Sequence, residues 1–183
     1  MAGNPAIAAE DPRLVKQVGN WRIVLSESLN NTCNMLAVYP DNRSLWLGFV
    51  RLKDVYGFGF QIANKGWDSL IPKEQYVLKV QLDNAEPWNM TMTAHTKPDG
   101  VKSLLAVNVK IEFIKEFKES STITVFYHGN LVFKGLLTDS GAAVSAMVDC
   151  QRQVDHWGRQ NDPFAGTTGD TVLKARDPFA IKP

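Results

Sequence analysis

Residues 45–52, Leu-Trp-Leu-Gly-Phe-Val-Arg-Leu, and residues 56–63, Tyr-Gly-Phe-Gly-Phe-Gln-Ile-Ala, are neighbouring apolar runs dense in aromatic side chains. Runs of this length and composition suit strands better than helices. The same pattern extends in both directions. Upstream it places strands near Trp21–Leu25 and Asn34–Tyr39, and downstream near Tyr76–Leu82, Asn89–Ala94, Leu104–Val109, Thr122–Tyr127 and Leu131–Leu137. Turn chemistry separates them. Pro40-Asp41-Asn42, Asp83-Asn84, Pro98-Asp99-Gly100 and His128-Gly129-Asn130 carry residues that preset φ or accept a left-handed backbone. Gly57-Phe58-Gly59 has strand-like flanks and no following Lys-Ser/Thr pair, so it marks close backbone approach in a sheet and not a phosphate loop.

Two helices interrupt this pattern. The alternation of Leu105, Val107 and Val109 breaks at Ile114-Lys115-Glu116, which predicts a short helix from about Lys110 that ends before Ser120. A longer one follows from Ser140, a suitable N-cap, with Ala143, Met147, Cys150, Val154 and Trp157 at three- and four-residue steps and a stop at Gly158. The expected fold is mainly β: an antiparallel sandwich or flattened barrel with one short and one longer C-terminal helix. Residues 1–17 read as an N-terminal arm, 18–158 as a single β-rich domain and 159–183 as an extended tail.

The chain has 183 residues with 20 Lys+Arg against 19 Asp+Glu. A net charge of +1 gives no electrostatic footing for nucleic acid as a partner. No apolar stretch approaches the roughly 20 residues of a membrane-spanning helix, so an integral membrane protein is not expected. Three histidines, His95, His128 and His156, have no metal-pair spacing, and no cofactor signature is found. Ser140 lacks a nucleophile elbow, and Cys150 on the apolar stripe of a helix reads as packed or bridged before it reads as a nucleophile. No catalytic residue is assigned.

Cys33 and Cys150 are the only cysteines. A bridge between them would close a very long loop, while two buried free thiols are the competing reading. Ala6-Ile7-Ala8 before Ala9-Glu10-Asp11 has the small-residue form of a signal-peptidase site, without the charged and apolar segments that ordinarily precede one. It favours export, to the periplasm or beyond the cell. Of the five tryptophans, Trp67 and Trp88 fall at loop ends where an indole face can stack on a ligand such as a sugar, whereas Trp21 and Trp46 lie within strands. The tail holds an internal repeat, Asp162-Pro163-Phe164-Ala165 and Asp177-Pro178-Phe179-Ala180. In each copy a proline presets φ before one aromatic anchor, the form of a short docking element built on Pro163, Phe164, Pro178 and Phe179, while the competing reading folds both Phe side chains back onto grooves of their own domain.

The order Gly19-Asn20-Trp21, Cys33 at a strand start, Trp67 after a hairpin, and Phe133–Leu137 leading through Ser140-Gly141-Ala142 to a helix with Cys150 resembles the invasion-associated locus B group. The resemblance spans about residues 19–152 and implies a small exported bacterial protein of mainly β structure, in the envelope, without catalytic residues. The expected function is therefore a non-catalytic exported binding or accessory protein that acts by protein contacts through its termini, either alone or as a subunit of a larger assembly. The alternative is a small-ligand or carbohydrate-binding module that uses Trp67 and Trp88.

Overall fold

The computed structural model describes residues 13–52 and 55–161. The sequence matching a signal-peptidase site, the Trp157 side chain and both Asp-Pro-Phe-Ala copies lie outside what is described. Among the described residues there are ten strands: β1 (Arg13–Val18), β2 (Trp21–Ser26), β3 (Thr32–Tyr39), β4 (Arg43–Leu52), β5 (Val55–Asn64), β6 (Gln75–Leu82), β7 (Trp88–Thr96), β8 (Lys102–Val109), β9 (Thr122–Tyr127) and β10 (Asn130–Leu136). Two α-helices, α1 (Ile111–Glu119) and α2 (Ser140–Asn161), follow β8 and β10 respectively.

All ten strands belong to one antiparallel sheet in the order β1-β2-β3-β4-β5-β8-β7-β6-β9-β10. The first five form a meander, and the chain then enters the far half of the sheet and returns strand by strand to β8 beside β5. α1 carries it across β7 and β6 to reach β9. The sheet curls over its core in the manner of a sandwich but does not close. The mainly antiparallel β class with a short helix and a longer C-terminal one is thus what the molecule shows.

The turns behave as their residues dictate. Asp41 and Asn42 between β3 and β4 adopt φ values of 65° and 59°, and His128-Gly129 between β9 and β10 adopts 48° and 80°. Both pairs have the left-handed backbone that matches the twist of flanking strands in a tight hairpin. At Gly59 the close approach is visible: a Cβ there would lie 2.5 Å from Val50 Cγ2 and 2.9 Å from Trp46 Cζ3. The Trp46 indole therefore lies across strands whose glycines make room for it.

Alternation along the strands turns one face inward. Leu45 and Leu47, Phe60 and Ile62, Leu78, Val80 and Leu82, and Ile123 and Val125 are buried on that face. α1 completes the core with Phe113, Ile114 and Phe117, three residues on one helical face. Phe113 meets Phe60 at 5.5 Å and Trp88 at 5.7 Å between ring centroids, both edge-on, and Phe117 meets Trp21 at 6.0 Å. α2 adds Ala143, Val144, Met147 and Cys150 against β2 and β3.

Three local expectations are corrected. No strand is expected before Trp21, yet Arg13–Val18 forms β1, paired with β2 around Gly19 at φ 54°. Its first five residues are all exposed, so the segment carries no inside–outside alternation to be read. Ser140 does not cap its own helix. Its hydroxyl donates to Phe117 O at 3.2 Å and to Ser120 O at 3.5 Å, serving carbonyls at the end of α1. Gly158 does not end α2, which runs on to Asn161, because one glycine costs a helix only about 1 kcal/mol relative to alanine.

Candidate functional site

The two halves of the curled sheet meet along a seam beside β10. β10 pairs in the ladder with β9 only, which leaves its other edge without a strand. Side chains from β3 and β4 serve that edge. Tyr39 Oη donates to Leu136 O at 2.8 Å, and Arg43 Nη1 donates to Lys134 O at 2.8 Å. Gly135, between the two carbonyls, is required by this arrangement, since a Cβ would lie 2.8 Å from Tyr39 Cζ. The Tyr39 ring also meets Phe133 edge-on at 5.6 Å, and the Arg43 guanidinium lies 5.8 Å from the Phe133 centroid.

Burial pushes the Tyr39 phenol from its ordinary 10.0 up to about 12, with Arg43 acting in the opposite direction. The hydroxyl is therefore a proton donor throughout the neutral range. A folded-state value above the unfolded one means that the contribution to stability is full below about pH 10 and is lost as pH rises toward about 12. Tyr39→Phe is expected to cost about 1 kcal/mol at pH 7 through the lost hydrogen bond, and to flatten the decline in stability between those limits. Denaturant titrations at neutral and alkaline pH check this, and an alkaline decline as steep in the variant as in the parent would refute the assignment.

Beside these contacts lies an open cleft of about 330 Å³. Trp21, Ala37 and Val38 line it from β2 and β3, and Leu136 lines it from β10. Trp21 is held by its indole Nε1, which donates to Thr138 O at 2.9 Å. Val38 and Leu136 stand 63% and 66% exposed at the rim. Large apolar side chains left this open beside a concavity are a feature of contact surfaces when they occur together. The charged lining is cationic, from Arg43 and Lys134. Asp41 approaches Arg43 at 3.9 Å from the β3–β4 turn.

None of these residues stands out in the sequence as a site. Tyr39 and Leu136 fall at ends of predicted strands, and Arg43 at a turn. Their meeting depends on which strand lies at the sheet edge, a long-range property. The one local hint is Gly135 inside a strand, since such glycines attend close approach.

The residues singled out from the sequence lie elsewhere. Cys33 and Cys150 form a disulfide that joins β3 to α2, with a Cα–Cα distance of 6.0 Å. Beside it the buried Gln151 accepts the Cys33 backbone N–H through Oε1 at 2.8 Å and donates through Nε2 to Asp155 at 3.1 Å. Asp155 also pairs with Arg51 of β4 at 2.9 Å. Trp67 is half-buried and packs against the core from the β5–β6 connection. Trp88, also half-buried, donates from Nε1 to Glu116 Oε2 at 2.7 Å and packs on Phe113. The structure does not bring Trp67 or Trp88 to the seam cleft. Pro163, Phe164, Pro178 and Phe179 lie outside the described residues. Among the described residues no group of three or more His, Cys, Asp or Glu is arranged to hold a metal ion, and no helix is long and apolar enough to cross a membrane.

Fold and seam together define a class: a single open antiparallel sheet wrapped around an aromatic helix plug and fastened by a disulfide to α2. Among solved structures the chain is similar in fold to the crystal structure of invasion associated protein B from Bartonella henselae, at a TM-score of 0.53 and 12% identity. The match covers 76% of this chain and 99% of that one. The resemblance carried by motif order is thus matched at the level of fold. No family model and no curated protein matches the chain.

Proposed function

We propose that this chain is a non-catalytic accessory protein of the bacterial envelope or of the exported fraction, acting by binding another protein at the seam cleft. The observation that carries the reading is the pairing of Val38 and Leu136, both more than half exposed, across a concavity whose floor is held rigidly by Trp21, Tyr39 and Arg43. A rigid concavity with an apolar rim and a cationic lining suits a partner segment that offers one apolar anchor next to an acidic group. The Cys33–Cys150 bridge supports an oxidising compartment, because such bonds persist outside the cytosol. The fold likeness to an invasion associated protein B supports the same placement.

The test is the native mass of the protein isolated gently from cells that make it, beside a Leu136→Glu variant. The parent is expected to isolate with a partner at fixed stoichiometry, and Leu136→Glu to lose at least tenfold of it while its thermal unfolding stays near that of the parent. A parent that isolates as a bare monomer, or a complex indifferent to Leu136→Glu, overturns the reading.

A further inference from the structure

We propose that the seam cleft is the docking site of this chain's own second Asp-Pro-Phe-Ala copy, with Phe179 on the apolar lining and Asp177 against Arg43 and Lys134. Its consequence, that the tail competes with a partner for the cleft, rests on the contact reading above; the docking itself does not.

Reach selects the second copy. The cleft adjoins the N-terminal end of α2, since Leu136 and Thr138 line it and the helix starts at Ser140. α2 has 22 residues, so its far end lies about 33 Å away. Phe164 follows Asn161 by three residues, a span of about 10 Å, and cannot return that far. Phe179 has roughly 18 residues of chain, up to about 60 Å when extended, and can.

Size agrees with that choice, and the Asp177 carboxylate has cationic partners within the lining. A cleft of 330 Å³ is at the small end of the ~300–1,000 Å³ of ligand pockets, which suits a single aromatic side chain and its backbone. Lys134 is exposed and makes no ion pair among the described residues, so it is available to a carboxylate two residues before the aromatic ring. The segment around Asp177 also carries Lys174, Arg176 and Lys182, for which Asp41 beside Arg43 and Asp139 beside Gly19 are the acids available near the cleft. Pro178 presets φ before the anchor and reduces the entropy lost on docking. Tethering raises the effective concentration to the order of millimolar, so a motif too weak to act as a free peptide still fills the cleft for much of the time.

The experiment uses the full chain, with Phe179→Ala and Phe164→Ala variants, and reads the amide chemical shifts of Val38, Gly135 and Leu136. Phe179→Ala is expected to move all three and Phe164→Ala to leave them in place. A synthetic peptide spanning residues 174–182, titrated into the Phe179→Ala chain, is expected to return them toward parent positions with a Kd on the order of 1 mM. Shifts indifferent to Phe179→Ala, or moved equally by both variants, overturn the proposal. Parent shifts that change on tenfold dilution assign the cleft to the tail of a second copy and overturn it as well. Expected shifts with no partner ever co-isolating keep the docking and sink the contact reading; a Leu136-dependent complex with indifferent shifts does the reverse.

Discussion

Replacing Cys33 and Cys150 together with alanine is expected to lower the free energy of unfolding by about 4–5 kcal/mol. The bridge spans a sequence separation of 117 residues, so in the unfolded chain it removes the freedom of most of the domain. On the chain-entropy account a loop of that size is worth nearly the maximum that one cross-link delivers. Its native surroundings add to the effect. The Cys33 N–H is already committed to Gln151, and Gln151 to Asp155, so loosening α2 from β3 leaves buried polar groups to find new partners. Urea titrations of parent and double variant check this, as do titrations of the parent with and without reductant. A loss below about 1 kcal/mol would mean that α2 stays docked through packing alone.

Phe113→Ala is the second large effect, about 3–5 kcal/mol, the range for deleting a buried aromatic ring. Phe113 is fully buried and touches rings from three parts of the molecule: Phe60 of β5, Trp88 of β7 and Phe117 of its own helix. The cavity cannot collapse easily, because sheet positions on two strands fix its walls. The loss is accompanied by a weaker near-UV circular dichroism signal, since the edge-on packing that gives Trp88 an asymmetric environment is gone. A variant that unfolds with parent stability and an unchanged near-UV spectrum would contradict the central place given to α1.

Much of this fold is legible in the sequence, and the reasons are local. Leu78, Val80 and Leu82 alternate with exposed neighbours, so their strand and its inward face follow from a period of two. Phe113, Ile114 and Phe117 share a helical face, which places α1 where the alternation of β8 breaks down. Pro40-Asp41-Asn42 announces a hairpin by its backbone preferences alone. What is missed depends on partners distant in sequence. Arg13–Val18 is a strand because β2 is available to pair with it, not because of any pattern of its own. Ser140 looks like a cap from its neighbours, yet its hydroxyl serves a helix that ends some twenty residues earlier. The seam cleft is the extreme case. Tyr39 and Arg43 meet the Leu136 and Lys134 carbonyls across sequence separations of 97 and 91 residues, and no local signal encodes that encounter.

The same two side chains bear on how the β10 edge of the sheet meets other chains. A bare edge strand invites a strand from another chain, and a long sheet with an open border is a template for stacking copies end to end. On β10 the acceptors at Lys134 and Leu136 are already taken by donors that are not backbone and that offer an incoming strand no ladder to continue. An incoming strand would have to displace a half-buried phenol and a guanidinium before making its first pair. The stitching that shapes the seam cleft is, from outside, a guard on one edge of the sheet.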